Sequence, residues 1–233
     1  MNKMKSIITI SLLPMLLMGC SDVSLSLEQR LHDAFLDVIE EDENDLRTLV
    51  SLTHEDSLVT WNQDNEKVLL FTLHRFPSSY IEGEICTITW KESWLCSVKE
   101  YAKWYKDNKD NIKDILLRTK QVLGMSNESR NTYISSLWFD PNDVYRPAYV
   151  ANPTKPMSLT FAEDNPDFFK SWFTNQYYSS YDTNKLPWTR LGYTYDWSEE
   201  SKDKYGLTEF IAFDGVSFTV EKTLTVEEFV NAL

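Results

Sequence analysis

Apolar residues recur at helical spacing in five segments of the chain after residue 25. In the first segment, Ser26 and Gln29 form a capping box, and the apolar residues that follow fall on one helical face. Two later segments also open with a capping box, and a fourth has proline at its first helical position. The five predicted helices begin at Ser26, Ser97, Ile112, Asn165 and Thr225.

Runs typical of β-strands lie between these helices, and several are joined by turn residues. Asp214-Gly215 is the strongest hairpin signal, because this dipeptide suits a two-residue turn. The sequence shows no internal repeat, low-complexity tract or linker, so it predicts one α+β domain over 26–233, in which antiparallel hairpins form a sheet with helices packed on it. The predicted strands cover residues 58–61, 67–74, 84–90, 94–98, 132–139, 157–161, 208–213 and 216–221.

The first 20 residues have a different pattern. Lys3 and Lys5 precede an apolar stretch that runs from Ile7 to Met18 and ends at Gly19 and Cys20. A membrane-spanning helix needs about 20 apolar residues, so this stretch is too short to serve as an ordinary transmembrane anchor. The pattern predicts a secretion signal over residues 1–19 that is removed from the mature protein.

The end of this segment, Leu17-Met18-Gly19-Cys20, resembles the lipobox of bacterial lipoprotein signals. The resemblance implies that the thiol of Cys20 carries a diacylglyceryl group, that cleavage occurs before it, and that residues 20–25 form a tether. Two or three acyl chains would anchor the protein stably to a membrane. Ser21 after the cysteine favours the outer membrane of the cell envelope. The alternative is a plain secretory signal with an incidental cysteine.

Composition and charge narrow the function classes. Aromatic residues make up 14% of the chain, which is typical of a folded domain and not of a disordered one. The net charge is −13, and removal of Lys3 and Lys5 with the signal leaves −15. Such an acidic chain repels phosphate backbones, so nucleic-acid binding is not expected. Good solubility is the simplest consequence of this charge.

The two remaining cysteines, Cys86 and Cys96, both lie in the predicted second hairpin. A three-residue loop over residues 90–92 would place them opposite each other, within reach of a disulfide bond. An exported protein meets an oxidising environment, so the sequence predicts this disulfide. The histidines His32, His54 and His74 have no metal-ligand spacing, and no metal site or cofactor is predicted. His74, at a strand end, is the one histidine considered as a catalytic residue.

The densest aromatic segment covers residues 186–197 and is followed by Gly206-Leu207-Thr208-Glu209-Phe210. Its run PWTRLGYTYDW resembles a family of uncharacterised bacterial exported proteins, and the resemblance implies no activity. Aromatic rings, a guanidinium and carboxylates together suit a groove for a sugar or a peptide. The alternative is a core strand in which Arg190 pairs with Asp196 or Glu209. The candidate ligand groove consists of Trp188, Arg190, Tyr193, Tyr195, Asp196 and Glu209.

These patterns favour a lipid-anchored binding or interaction protein of the cell envelope, with an envelope protein or a glycan as its partner and no catalytic role. The chain has no G-x-S-x-G, Walker or dinucleotide-binding motif. The alternative is an envelope hydrolase that acts on glycan or peptide with Asp196 and Glu209 as paired carboxylates, which would have to lie about 5–9.5 Å apart. A purely structural envelope component is the third hypothesis.

The lipid anchor predicts a clear effect of one substitution. Cys20→Ser removes the thiol that accepts the diacylglyceryl group, so the variant should stay uncut or become soluble. Metabolic labelling with a radioactive fatty acid should mark the wild-type protein and leave the variant unmarked. A label of equal strength on Cys20→Ser would contradict the anchor.

Overall fold

A computed structural model describes residues 25–233. The predicted signal sequence, the lipobox, Cys20 and most of the predicted tether lie outside the described residues. Within residues 25–233, no helix is long and apolar enough to cross a membrane.

The described residues form five α-helices and seven β-strands. The helices are α1 Leu27–Asp37, α2 Val98–Asn108, α3 Ile115–Val122, α4 Asp167–Tyr178 and α5 Val226–Asn231. The strands are β1 Val68–His74, β2 Ile85–Thr87, β3 Glu92–Ser97, β4 Tyr133–Phe139, β5 Tyr193–Tyr195, β6 Tyr205–Phe213 and β7 Ser217–Thr225. A π-helix, Ser179–Asn184, continues α4.

All seven strands belong to one antiparallel sheet in the order β2-β7-β4-β1-β3-β6-β5. The helices pack against this sheet, which confirms the predicted α+β class with a single domain. The predicted helix starts at Ser26, Ser97 and Thr225 are confirmed, because each side chain accepts a hydrogen bond from the backbone N–H three residues on.

Two predicted local features are absent from the structure. Residues 157–161 form no strand. Asn165 does not cap α4, because its side chain binds the backbone of a neighbouring loop: its carbonyl accepts from the Ala151 N–H at 2.9 Å and its amide donates to the Tyr149 carbonyl at 2.8 Å. Asn165 therefore fixes residues 149–151 and leaves the helix to begin after Pro166.

The sheet is strongly rolled. β6 and β7 lie four positions apart in the sheet order, which corresponds to about 19 Å in a flat sheet. They are joined only by residues 214–216, a connection that reaches at most about 14 Å between the strand ends. The sheet must therefore curl until the end of β6 meets the start of β7.

The connection between β2 and β3 closes the seam that this roll leaves between β6 and β7. The Ile88 N–H donates to the Val216 carbonyl at 2.8 Å, and the Gly215 N–H donates to the Ile88 carbonyl at 2.9 Å. The Asp214 N–H donates to the Lys91 carbonyl at 3.2 Å. These bonds satisfy backbone groups that the turn would otherwise leave open.

Side chains on the inner face of the roll form one core. They come from five strands and include Leu70, Leu95, Leu137, Phe210 and Phe218, each of which is almost fully buried. On the outer face, α2, α3 and α5 cover one half of the sheet and α4 covers the other half. Successive side chains of a strand point to opposite faces of the sheet. Each strand therefore contributes side chains both to the inner core and to the outer face that the helices cover.

The predicted hairpin of β2 with β3, and with it the Cys86–Cys96 disulfide, is wrong. β2 pairs with β7 and β3 pairs with β1 and β6, so three strands separate β2 from β3 in the sheet order. Cys86 shares the inner face with Phe218, its register partner, while Cys96 shares the outer face with Phe71. Both cysteines are free.

β6 and β7 also do not pair with each other, although Asp214-Gly215 forms the predicted turn between them. The predicted pairing at residues 58–74 is present in a short form, with an antiparallel bridge between Trp61 and Val68. Turn residues therefore located the chain reversals, while the strand pairing depended on residues distant in the sequence.

His74, at the end of β1, belongs to a chain of hydrogen bonds that ties β1, β4 and β7 together. The Phe76 N–H donates to its Nδ1 at 3.1 Å, so its Nε2 carries the proton and donates to the Ser135 hydroxyl at 2.7 Å. The chain continues from Ser135 to Thr223 at 2.7 Å and from Thr223 to the Tyr80 carbonyl at 2.8 Å. Both ring nitrogens are occupied, so His74 acts as a structural residue.

Burial lowers the pKa of His74 to about 4 from its ordinary 6.5. Between these two pH values the unfolded chain binds a proton at this position and the folded chain does not. The free energy of unfolding should therefore fall by up to about 3 kcal/mol as the pH decreases through this window. His74→Gln keeps a donor and an acceptor and should remove this part of the pH dependence in urea titrations.

The matched control is His32→Gln, since His32 is exposed on α1. This variant should follow the wild-type pH profile. The structural role of His74 is contradicted if His74→Gln and the wild-type protein lose stability in parallel between pH 6.5 and pH 4.

Candidate functional site

A cavity of about 740 Å³ lies where β1 and β3 separate. The two strands pair at only two positions, Leu70 with Ser97 and Phe71 with Cys96. Beyond Phe71, β1 stays paired with β4, and β3 stays paired with β6, so a fork opens between them. The residues that continue both strands into the fork line the cavity: Thr72, Leu73, His74, Ser93, Trp94 and Leu95.

Three further segments contribute to the wall. They are residues 75–80, residues 123–131 after α3, and the aromatic segment near residues 186–195. The lining is mostly apolar and aromatic, and the volume is within the range of about 300–1,000 Å³ that is usual for small-molecule sites. The large aromatic side chains of the lining are Phe71, Phe76, Tyr80, Trp90, Trp94, Trp188 and Tyr195.

Trp188 is a rigid part of this wall. Its indole N–H donates to the Pro147 carbonyl at 3.0 Å, and its own carbonyl accepts from the Tyr181 hydroxyl. Its ring lies edge-on to Trp94 and Trp172, with centroid distances of 6.4 and 6.1 Å. Because its polar atoms are engaged with the protein, Trp188 offers the cavity an aromatic surface.

Glu209 is the carboxyl group that enters the cavity without a partner. It lies on β6 directly opposite Cys96, on the outer face of the sheet, and both residues line the cavity. Within residues 25–233, the Glu209 carboxyl has no hydrogen bond or ion pair. Burial raises its pKa to about 8, so the carboxyl is mostly protonated at neutral pH.

The other carboxyl groups nearby are engaged. Glu100 accepts from the Thr208 N–H at 2.9 Å and from its hydroxyl at 3.0 Å, and burial raises its pKa to about 7. Glu92 lines the cavity, where it accepts from the Trp172 indole N–H at 3.3 Å and pairs with Lys91 at 3.4 Å. Glu209 is therefore distinguished by its position and by its lack of a partner.

Cys96 offers no ready nucleophile. Burial raises the pKa of its thiol well above the ordinary value, and the neighbouring carboxyls of Glu209 and Glu100 raise it further. The thiolate is the reactive form of cysteine, so a thiol kept protonated in this way is inert. Within the described residues, no group of three or more His, Cys, Asp or Glu side chains is arranged to hold a metal ion.

The structure brings together half of the residues that the sequence placed in a ligand groove. Trp188, Tyr195 and Glu209 line the cavity, whereas Arg190, Tyr193 and Asp196 do not. The Tyr195 hydroxyl donates to Asp37 at 3.1 Å at the edge of the fold.

Arg190 is buried, and its partner is not one of the two that the sequence suggested. Its guanidinium pairs with Glu41 and donates to the carbonyls of Val38 and Ile39 at 2.8 and 3.1 Å. It also lies over the ring of Tyr181, with 4.7 Å to the centroid. Arg190 thus fixes the end of α1 to the segment that precedes β5.

Asp196 is held by a different arginine. Arg118 on α3 donates two hydrogen bonds to its carboxylate, at 2.9 and 2.6 Å, and the Ser201 hydroxyl adds a third. This buried bidentate pair ties α3 to the end of β5. Asp196 is therefore engaged with Arg118, and it does not line the cavity that Glu209 enters.

Apart from His74, the β1 and β3 residues of the cavity were not predicted. Their alternating pattern indicates strands, and it carries no mark of the place where two strands separate. The local signal for a cavity here was the pair Trp90 and Trp94. Two tryptophans near one strand supply more aromatic surface than a half-buried strand needs.

Comparison of the chain with protein-family models, with curated proteins and with solved structures returns no match in any of the three. The resemblances based on the lipobox and on the PWTRLGYTYDW run therefore remain proposals, and the site has to be interpreted from its own geometry.

The contacts of Arg190 predict a structural effect. Arg190→Ala leaves Glu41 and two backbone carbonyls without their cation, so the variant should lose about 3 kcal/mol of stability in urea unfolding. Arg190→Lys should lose less, because it keeps the charge. Arg75→Ala, which removes an exposed arginine at the cavity, is the control and should change stability little. An unchanged unfolding midpoint for Arg190→Ala would show that these contacts contribute nothing to the fold.

Proposed function

We propose that this protein is a lipid-anchored binding protein of the bacterial cell envelope, and that its ligand is a mainly apolar small molecule held in the cavity between β1 and β3. The observation that carries the proposal is the cavity itself, with its volume of about 740 Å³ and its aromatic lining. Open apolar cavities of this size are unusual in close-packed proteins unless they bind something.

The ionisable side chains of the cavity support binding more than catalysis. His74 uses both ring nitrogens in structural hydrogen bonds, and Cys96 is kept as a protonated thiol. Covalent catalysis needs a nucleophile and a base about 2.6–3.2 Å apart, and general acid–base catalysis needs a group free to exchange its proton with the substrate. In the described lining, the Glu209 carboxyl is free, and the group directly opposite it is the protonated Cys96 thiol.

The anchor and the cavity fit one task. An acyl group on Cys20 would hold the domain next to a membrane, where apolar molecules concentrate. The fork opens between two strands of a sheet that is otherwise packed on both faces, so a ligand would enter without unfolding the core. The predicted outer-membrane location places this binding step in the cell envelope.

The size of the probe molecule sets the expected affinity. N-phenyl-1-naphthylamine is an uncharged aromatic amine, almost unprotonated at neutral pH, that fluoresces in apolar surroundings. Gains of roughly 0.3–0.5 kcal/mol per non-hydrogen atom give a dissociation constant on the order of 10 μM for a molecule of this size.

Fluorescence titration with N-phenyl-1-naphthylamine tests the proposal. The wild-type protein should bind one equivalent, and Met125→Trp, which places a larger side chain in the wall, should weaken binding at least tenfold. Leu36→Trp introduces the same side chain on the exposed part of α1 and is the matched control. Equal binding by both variants, or no saturable binding by the wild type, would contradict the proposed function.

A further inference from the structure

The cavity contains one carboxyl group that the described part of the fold does not use. The backbone of β6 is paired with β3 and β5, and the Glu209 side chain extends from it into the cavity. A carboxyl group in mostly apolar surroundings costs free energy unless something binds it. Since no described residue does so, a ligand in the cavity is the natural partner.

The charges around Glu209 define what that partner carries. On β3, Cys96 faces it as a neutral thiol, and Glu92 is already bound to Trp172 and Lys91. On α2, Glu100 is bound to Thr208.

Among the described residues that line the cavity, the remaining elements supply one cation, Arg75. On β1, His74 is neutral, and the Tyr195 hydroxyl of β5 binds Asp37. Arg75 also lines the cavity, but it is exposed and lies over the Phe76 ring at 4.8 Å.

We infer that Glu209 selects a ligand that carries a protonated amine at one end of an apolar body, and that the amine pairs with the Glu209 carboxylate inside the cavity. This inference rests on the proposed function, because it names the ligand class of the same site. The acidic chain supports it, since a net charge of −13 attracts cations and repels anions.

The pairing couples binding to a proton. In the free protein the Glu209 carboxyl keeps its proton up to a pH of about 8, whereas an alkylamine stays charged to about pH 10. Binding of the cation at pH 6.5 therefore requires Glu209 to release one proton. The affinity for an amine should rise about tenfold per pH unit between pH 6 and pH 7 and become constant above about pH 9.

Calorimetry with three matched probes tests the inference: 4-phenylbutylamine, 4-phenylbutanol and 4-phenylbutyrate. At pH 8 the amine should bind at least tenfold more tightly than the alcohol, and the carboxylate should bind most weakly. At pH 6.5, titrations in buffers of different ionisation enthalpy should show release of about one proton for the amine and none for the alcohol.

Glu209→Gln should abolish both the preference for the amine and the proton release, while it keeps the affinity for the alcohol. The variant should be at least as stable as the wild type at pH 8, because it removes a buried carboxyl, and thermal unfolding checks this. Glu92→Gln is the matched control, since Glu92 lines the same cavity and already has partners. It should keep the preference and the pH slope.

The outcomes separate the two proposals. Equal affinity for amine and alcohol in a protein that still binds N-phenyl-1-naphthylamine would overturn the role of Glu209 and leave the apolar site intact. Preference for the neutral probe would likewise overturn it, because Glu209 would then serve as a protonated hydrogen-bond donor. Failure of every probe, including the uncharged fluorophore, would overturn the proposed function together with this inference.

Discussion

The short connection between β6 and β7 constrains the whole molecule. Two strands that lie four positions apart in the sheet are joined by residues 214–216 alone, so the sheet has to roll until their ends meet. The roll creates an inner core with contributions from five strands and leaves an outer face that the helices cover. The seam is closed by the backbone of residues 88–91, which pairs with the turn and satisfies polar groups that neither strand binds.

The cavity follows from the same arrangement. β1 pairs with β4 along its full length and β3 pairs with β6, so each strand follows its own side of the roll and the contact between them is limited to two pairs. The fork opens the cavity to side chains of both faces of the sheet. Leu95 and Cys96 therefore both line the cavity, although they point in opposite directions. The ion pairs of Arg118 and Arg190 hold the aromatic segment in place against this opening.

Local signals were sufficient for most of the elements and insufficient for their pairing. The caps at Ser26, Ser97 and Thr225 were predicted because a cap depends on residues three positions apart. The Cys86–Cys96 disulfide failed because neighbours in the sequence need not be neighbours in a sheet, and here β7, β4 and β1 lie between β2 and β3. Trp188, Tyr195 and Glu209 were predicted correctly because the density of aromatic residues around them is typical of a cavity wall. The partners of Arg190 and Asp196 were not predicted, because they lie 149 and 78 residues away in the sequence.

A crystal structure of the domain over residues 26–233 with N-phenyl-1-naphthylamine bound would show whether a stable fork between β1 and β3 forms a ligand site. We expect density for the probe between residues 72–74 and 93–95, in contact with Trp94 and Trp188, with the strands separated as they are without it. A continuous β1–β3 ladder in which Thr72 pairs with Leu95 and His74 with Ser93, and a probe bound elsewhere or not at all, would contradict it.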